Sequence, residues 1–113
     1  MDIQDSKINV LIADDHGMIL DILSMYLSAQ NDIAVKTAND VDAAMDILES
    51  DALIDVILLD YNMPGMNGLQ GFERVYKAND EKPVAILTGQ PTRRMLDDAL
   101  EVGASGILPK TMP

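Results

Sequence analysis

The sequence contains no cysteine and no tryptophan, and it has only one histidine, His16, among its 113 residues. Without cysteine the chain forms no disulfide and presents no thiolate to a metal ion or a substrate. A single histidine is also too few for the histidine-rich sites that hold zinc. Any metal ion that this chain binds is therefore held mainly by oxygen atoms.

Long apolar runs are absent as well, since none approaches the roughly 18 residues that a transmembrane helix needs. The first ten residues, MDIQDSKINV, place two acidic residues ahead of a short apolar segment, which is unlike a secretory signal. The length and the apolar content of 48% suit one globular domain with one core. We therefore predict a cytoplasmic domain without membrane contact.

Basic residues are scarce, because 8 lysines and arginines stand against 19 acidic residues and give a formal net charge of -11. Nucleic-acid binding relies on lysine and arginine to neutralise phosphates, so we expect no direct nucleic-acid binding by this segment. A cation or a basic partner suits the charge better. An acidic surface that only keeps the protein soluble is the alternative, and net charge alone does not decide between them.

Short apolar runs alternate with amphipathic segments along the chain. The runs are INVLIA, IAVKTA, IDVILLD, PVAILTG and SGILPK, and each of the first four is followed by apolar residues at helical spacing. This alternation is typical of a doubly wound α/β fold, in which a parallel sheet of five strands is covered by helices on both faces.

Several residues mark the faces and ends of the four predicted helices. In the first helix, intervals of three and four predict one buried face, formed by Ile19, Ile22, Leu23, Tyr26 and Leu27. Asn39 or Asp40 is suited to cap the second helix. Pro91 suits the first turn of the fourth helix, and Gly103 suits its end.

Polar residues stand where four of the strands end. A sheet of this kind binds its ligand beyond the carboxyl ends of the strands, so these residues form the candidate site. They follow the first, third, fourth and fifth strands and are Asp14, Asp15, Asp60, Thr88 and Lys110.

Three carboxylates at one sheet edge repel one another and raise at least one pKa unless a cation lies among them. Mg²⁺ fits, because it prefers oxygen ligands, keeps several waters and takes one or two carboxylates. We expect Asp15 and Asp60 to bind Mg²⁺ directly and Asp14 to act through water. The alternative for Asp14 and Asp15 is a simple helix cap.

Asp60 is either a metal ligand only or a nucleophile that takes up a phosphoryl group as an acyl phosphate. The rest of the site favours the nucleophile, because phosphoryl transfer needs positioning and charge stabilisation on the phosphoryl oxygens. Lys110 and Thr88 would supply an ammonium and a hydroxyl. Taken singly, Thr88 is more typical of a turn residue and Lys110 of a solvated surface lysine.

The loop NMPGMNG directly follows Tyr61 at the end of the third strand. Pro64 and Gly65 enforce a turn, and Gly68 permits a backbone geometry closed to other residues. Such a bend can point the carbonyl of Asn62 toward a metal ion. Taken alone, the loop is an ordinary connection between a strand and a helix.

The sequence resembles the receiver domain of two-component response regulators over nearly its whole length. The resemblance rests on IADDH, LLDYNMPGMNG, ILTG and GASGILPK, in this order and at this spacing. It implies a flavodoxin-like sheet with strand order 2-1-3-4-5 across residues 1–113.

The resemblance also implies the roles of individual residues. Asp60 would accept a phosphoryl group from a phosphohistidine on a sensor histidine kinase or a histidine phosphotransfer protein. Thr88 and Lys110 would contact the phosphoryl oxygens, and Thr88 would shift toward them. The implied Mg²⁺ ligands are Asp14, Asp15, Asp60 and the backbone carbonyl of Asn62.

One position departs from the family pattern. Family members couple the shift of the threonine to an inward turn of an aromatic residue three positions before the lysine, which reshapes the face formed by the fourth helix and the fifth strand. Ile107 occupies this switch position here and has no large ring and a stiff χ1. We expect phosphorylation to survive, and the readout either to use backbone movement after Thr88 or to be weak.

His16 after the acid pair and the segment GASG are typical of the subgroup with a C-terminal LuxR/NarL-type helix-turn-helix domain, which implies control of transcription. For His16 itself, a structural or loop role is favoured over chemistry.

The final residues TMP leave no room for the fifth helix of the family. We expect a fragment of a longer protein, with an exposed apolar face that favours a homodimer.

Two other functions compete with the switch. A Mg²⁺-dependent phosphatase with an aspartyl nucleophile would want a second aspartate two residues after Asp60, where Asn62 stands. A receiver-like interaction domain that no longer takes phosphate is favoured by Ile107 and opposed by the intact strand-end residues. As a switch, the protein is not an enzyme and catalyses at most its own phosphorylation and dephosphorylation.

Overall fold

The computed structural model describes residues 7–50 and 53–110, in which strands and helices alternate as predicted. The elements are β1 (Ile8–Ala13), α1 (Gly17–Ser28), β2 (Ile33–Ala38), α2 (Val41–Glu49), β3 (Val56–Asp60), α3 (Gln70–Ala78), β4 (Val84–Thr88), α4 (Arg93–Glu101) and β5 (Gly106–Pro109). Within these ranges no helix is long and apolar enough to cross a membrane. The expectations about the start of the chain and its terminal TMP lie outside the described residues.

The five strands form one parallel sheet in the order β2-β1-β3-β4-β5, which confirms the topology implied by the resemblance. The apolar β3 lies in the centre, and the half-polar β2 lies at one edge. Parallel strands are joined by crossover helices, so the carboxyl ends of all five strands meet at one edge of the sheet.

Alternate strand residues face two different layers. Ile57 and Ile86 belong to the larger core cluster, which also contains Ala44 of α2, Phe72 of α3 and Ala99 of α4. The smaller cluster lies on the opposite face, where α1 packs, and is formed by Val10, Ile12 and Leu87 with Leu20, Leu23 and Leu27 against them. The sheet is therefore covered by three helices on one face and by α1 on the other.

Two predicted helix ends are confirmed and one is wrong. Asp40 caps α2, where its side chain accepts a hydrogen bond from a backbone N–H of the first turn. Gly103 ends α4 at φ +110°, and a Cβ atom there would lie 2.8 Å from the ring of Tyr76. Pro91 does not enter the first turn of α4, because Thr92 caps this helix with its hydroxyl and α4 begins after it.

The buried face of α1 differs from the prediction. Leu23 and Leu27 pack on the sheet as expected, and Leu20 packs beside them. Ile22 and Tyr26, however, are 56% and 69% exposed. Apolar residues surround most of this helix, so spacing alone does not select the side that the sheet buries.

Beside α1, the same face of the sheet is open. A groove of about 410 Å³ lies between α1 and strands β3, β4 and β5, and its lining includes Ile22, Leu58, Leu87 and Leu108. Among the described residues, the groove leaves apolar side chains such as Ile22 and Leu108 partly exposed on this face. Dimerisation through it stays a prediction.

Candidate functional site

The strand register brings the predicted carboxylates to one place. Ala13 of β1 pairs with Leu59 of β3, so Asp14 and Asp60 follow at the same level on neighbouring strands. Both side chains are buried, with Asp14 0% and Asp60 1% exposed. Asp15 lies beside them, at the solvent side of the cluster, with 35% of its side chain exposed. The predicted convergence of three carboxylates is therefore confirmed.

Lys110 lies between the two buried carboxylates. Its Nζ atom is 2.8 Å from Oδ2 of Asp14 and 2.9 Å from Oδ1 of Asp60, and its side chain is only 10% exposed. Its backbone N–H donates a 2.8 Å hydrogen bond to the carbonyl of Thr88, which fixes the loop after β5. The alternative of a solvated surface lysine is wrong.

Neither Asp14 nor Asp15 is the N-cap residue of α1, so the alternative of a simple helix cap is wrong. The backbone N–H of His16 donates a 2.8 Å hydrogen bond to Oδ1 of Asp14, and His16 itself is the N-cap residue of α1. The Asp14 side chain therefore shapes the turn before the helix, and its second oxygen, Oδ2, faces Lys110.

Burial and hydrogen bonding set the charges of the site. Burial raises the pKa of Asp60 above its ordinary value, with a further rise from the charge of Asp14, and hydrogen bonds from Lys110 and the Asn62 backbone offset this only in part. Burial also raises the pKa of Asp14, but hydrogen bonds from Lys110 and His16 outweigh it and lower this pKa. Burial lowers the pKa of Lys110, and its hydrogen bonds to both carboxylates raise it above the ordinary value. Asp60 is therefore the carboxyl group whose pKa is raised, as predicted for one member of the cluster.

The two oxygens of Asp60 have different surroundings. Oδ1 faces Lys110 and accepts a 3.2 Å hydrogen bond from the backbone N–H of Asn62. Oδ2 is buried and has no hydrogen-bond partner among the described residues. Leaving a buried acceptor without a partner costs about 1–3 kcal/mol, and a cation bound at Oδ2 would offset this cost.

The sequence analysis missed the position of the His16 ring. Its Nδ1 atom is 2.9 Å from Oδ1 of Asp14, 3.2 Å from Oδ1 of Asp15 and 3.1 Å from Nζ of Lys110. These contacts suit the predicted structural role and extend it beyond the loop to Lys110. The available signal was that the only histidine of the chain directly follows the acid pair.

The loop after β3 has the backbone geometry that its glycines predict. Gly65 and Gly68 have φ of +93° and +69°, values that favour glycine. A Cβ atom at Gly65 would lie 2.8 Å from the Cβ of Val41, so this position also needs a residue without a side chain. The loop therefore fixes Asn62 next to Asp60, and the metal contact of the Asn62 carbonyl stays a prediction.

Thr88 and Ile107 are not part of the charged cluster. Thr88 is 1% exposed, and its Oγ1 accepts a 3.3 Å hydrogen bond from the backbone N–H of Gln90, as in a turn. Its contact with a phosphoryl group stays a prediction. Ile107 is partly buried and packs against the larger core cluster.

The donor atoms of the site suit a divalent cation. One ligand atom each from Asp14, Asp15, His16 and Asp60 lies within 4.8 Å of the others. A cleft of about 320 Å³, lined by His16, Asp60 and Lys110 among others, connects this cluster to solvent. The carboxylate oxygens fit Mg²⁺, and the unpartnered Oδ2 of Asp60 is an atom that such an ion would satisfy.

Comparison with protein families matches residues 10–113 to the response regulator receiver domain. The chain belongs to this family. Receiver domains are phosphorylation-dependent signalling switches rather than a family of catalytic enzymes, and the site at this sheet edge fits that activity. Family membership also weighs against the alternative of an aspartyl phosphatase.

Relatives and solved structures agree with this assignment. The chain is 32% identical over 108 residues to "Probable transcriptional regulatory protein NarL" of Mycobacterium tuberculosis, covering 95% of this chain and 50% of that protein. It is 31% identical over 106 residues to the glycerol metabolism activator of Pseudomonas putida, covering 92% and 48%. The solved receiver domain of the M. tuberculosis NarL superposes with a TM-score of 0.83 at 31% identity, covering 96% of this chain and 87% of that one. The chain thus spans about half the length of these curated relatives.

The raised pKa of Asp60 predicts the effect of removing its charge. At neutral pH the buried Asp60 carboxylate is less favourable in the folded than in the unfolded protein, so Asp60→Asn should raise the free energy of unfolding. Because the folded protein binds its proton more tightly, wild-type stability should fall as pH rises from the ordinary to the raised pKa. The difference in free energy of unfolding between Asp60→Asn and the wild type should therefore vanish when the pH falls below the ordinary pKa of aspartate.

Denaturant unfolding from pH 3 to pH 8, without divalent ions, measures this difference. Asp32→Asn is the matched control, because it removes the same charge from an exposed position next to the start of β1, at the opposite edge of the sheet. An Asp60→Asn protein that is less stable than wild type at neutral pH, or a gain that persists at low pH, would contradict the raised pKa.

Proposed function

We propose that the chain is a signalling switch in which Asp60 accepts a phosphoryl group from a phosphohistidine. The observation that carries this proposal is a buried carboxylate with one oxygen beside the Lys110 ammonium and the other without a hydrogen-bond partner. The donor is a sensor histidine kinase or a histidine phosphotransfer protein, which are the general partners of receiver domains.

Transfer begins when a carboxylate oxygen of Asp60 attacks the phosphorus atom. A P–O bond forms, the P–N bond to the donor histidine breaks, and the leaving imidazole keeps the electron pair and takes up a proton from solvent. The product is an acyl phosphate on Asp60. Lys110, whose Nζ is 2.9 Å from Asp60 Oδ1, is placed to stabilise the charge on the transferred oxygens.

In this proposal Mg²⁺ is held by Asp15, Asp60 and the backbone carbonyl of Asn62, with Asp14 acting through water. When bound, Mg²⁺ neutralises charge on the carboxylates and on the phosphoryl oxygens. Asp15 is the most solvent-accessible carboxylate of the cluster, so it is the carboxylate that an ion from solution would reach most easily. Both oxygens of Asp14 already have partners, since Oδ2 faces Lys110 and Oδ1 accepts a hydrogen bond from the His16 backbone, and this suits Asp14 to an indirect contact.

Thr88 connects the phosphoryl group to the surface of the domain. Its hydroxyl holds the backbone of Gln90, and its carbonyl holds the backbone of Lys110. Movement of the hydroxyl toward a phosphoryl oxygen would release Gln90 and shift the segment that leads into α4. Because Ile107 offers no ring to swing, this backbone movement is the main readout at the face of α4 and β5.

The chain acts within a longer protein. Two of its curated relatives carry about as much sequence outside the matched region as within it, and one of them is named as a transcriptional regulatory protein. We propose a cytoplasmic regulator whose receiver domain controls a transcription output domain, without direct nucleic-acid binding by this segment and with homodimerisation through the apolar groove. Any catalysis is limited to its own phosphorylation and dephosphorylation.

Phosphorylation is tested with a small donor. Incubation of the protein with acetyl phosphate and Mg²⁺ should add one phosphoryl group per chain, measured by intact mass spectrometry. Asp60→Asn should remove the label, because amide nitrogen and oxygen are poor nucleophiles. Asp32→Asn should keep it.

Three outcomes would contradict the switch. Label that persists in Asp60→Asn would place the acceptor elsewhere. Steady hydrolysis of a phosphate ester without retained label would favour the phosphatase. No label, together with no change in melting temperature on adding beryllofluoride and Mg²⁺, would favour a domain that no longer takes phosphate.

Magnesium binding is tested by thermal unfolding. Because the site exists only in the folded protein, Mg²⁺ at 100 times its Kd should stabilise the fold by about 2.7 kcal/mol. The rise in melting temperature should be lost in Asp15→Asn and kept in Asp32→Asn. A melting temperature that does not respond to millimolar Mg²⁺, or an equal response in both variants, would argue against the site.

A further inference from the structure

We propose that Asn67 is a site of spontaneous deamidation, in which the backbone nitrogen of Gly68 attacks the Asn67 side chain, and that the isoaspartate formed there loosens the loop beside Asp60. The modification itself is independent of the proposed function. Its effect on phosphoryl transfer rests on the proposed function.

The residue that follows Asn67 sets it apart from the other asparagines of the chain. Cyclisation joins the side chain of an asparagine to the backbone nitrogen of the next residue, and a side chain on that residue hinders it. Glycine has none. Only Asn67 precedes a glycine, whereas valine, aspartate or methionine follows Asn9, Asn31, Asn39, Asn62 and Asn79.

The Asn67–Gly68 pair is exposed, and its reacting nitrogen is available. Both residues lie at the surface of the loop between β3 and α3. No acceptor among the residues that the structure describes bonds the backbone N–H of Gly68. A Cβ atom at Gly68 would meet no atom of a non-adjacent residue within 4 Å, so other parts of the protein leave room for the Asn67 side chain to turn toward this nitrogen.

One contact restrains the Asn67 side chain. Its Nδ2 atom donates a 2.9 Å hydrogen bond to Oε1 of Gln70, and the backbone of Asn67 has φ of +47°. The hydrogen bond holds the amide in one orientation, so the attack requires this contact to open. Because the bond is exposed to solvent, its net contribution is small and it opens readily. The Gln70 contact therefore slows the reaction without blocking it.

The reaction needs only water as a co-reactant. The Gly68 nitrogen gives up its proton and bonds to Cγ of Asn67, while the bond from Cγ to Nδ2 breaks and the amide nitrogen leaves with that proton as ammonia. Water then opens the resulting succinimide at one of its two carbonyl groups. Opening at the side-chain carbonyl gives aspartate. Opening at the backbone carbonyl gives isoaspartate, in which the chain runs through Cβ and Cγ and the backbone gains a methylene group.

The added methylene falls between two segments that are packed together. Met66 is 1% exposed, and its carbonyl accepts a 2.7 Å hydrogen bond from the backbone N–H of Gly71 at the start of α3. A Cβ atom at Gly71 would lie 2.6 Å from Cα of Met66, so the two segments are in direct contact. A longer connection between them displaces one or the other. Because the N–H of Met66 bonds to the carbonyl of Met63, the displacement reaches the turn that holds Asn62 beside Asp60.

Peptide mapping by mass spectrometry after incubation at mildly alkaline pH tests the modification. The peptide with Asn67 should gain about one dalton and become a substrate for an isoaspartyl methyltransferase, while the other asparagines keep their amides. Gln70→Ala should accelerate the change. Asn67→Gln should abolish it, because glutamine cannot form the five-membered ring with Gly68. An intact amide at Asn67 in the folded protein, at a time when the urea-unfolded protein has lost it, would overturn the proposal.

Comparison of fresh and isoaspartate-containing protein tests the effect on the loop. The modified protein should take up label from acetyl phosphate and Mg²⁺ more slowly, and the Gly71 amide should exchange its hydrogen faster. Asn67→Asp is the matched control, because it adds the same charge without lengthening the backbone, and it should behave as the fresh protein does. Equal labelling and equal exchange in the modified and fresh proteins would contradict the effect on the loop.

The two proposals fail in distinguishable ways. Fresh protein that takes no label would contradict the proposed function, while the mass of the Asn67 peptide would still decide the deamidation and Gly71 exchange its effect on the loop. Labelling of fresh protein together with a persistent Asn67 amide would contradict the deamidation alone.

Discussion

Two buried carboxylates share one buried ammonium at the carboxyl edge of the sheet, and most of the site depends on this arrangement. Asp14 and Asp60 are almost fully enclosed, and Lys110 reaches both of them within 2.9 Å. Charges so placed are costly unless they are paired, and here two carboxylates share one ammonium. The parallel register supplies the pairing, because it brings residues that are far apart in sequence to one level. The remaining negative charge and the unpartnered Oδ2 of Asp60 make the pocket ready for a further cation.

The same arrangement links the chemistry to the fold. Lys110 is held by its backbone to Thr88, and the Thr88 side chain holds the turn that leads toward α4. A phosphoryl group on Asp60 would compete for the Lys110 ammonium and for the Thr88 hydroxyl at once. Ile107, at the expected switch position, packs against the larger core cluster. Under the proposed function, the backbone after β4 would therefore be the route from the pocket to the surface.

The sequence was most informative where one local rule decides the structure. Apolar runs such as VILLD have to be buried on both faces, and parallel strands place their carboxyl ends together, so the sequence alone predicts Asp60 and Lys110 at one edge of the sheet. The turn geometry at Gly65 and Gly68 is predictable because few other residues adopt the positive φ angles found there. By contrast, α1 is apolar on most sides, and only the neighbouring layer decides that Ile22 is left exposed. The position of the His16 ring was missed for a similar reason, since it depends on Lys110, 94 residues away in sequence, as well as on the neighbouring acid pair.

The central claim is that Asp60, rather than another carboxylate of the cluster, takes the phosphoryl group. The most direct measurement is peptide mapping by mass spectrometry after borohydride reduction, which converts an aspartyl phosphate to homoserine. We predict homoserine at Asp60, within the peptide that contains β3 and the NMPGMNG loop. Reduction product at Asp14 or Asp15, or none at Asp60 in protein that carries the label, would contradict the account.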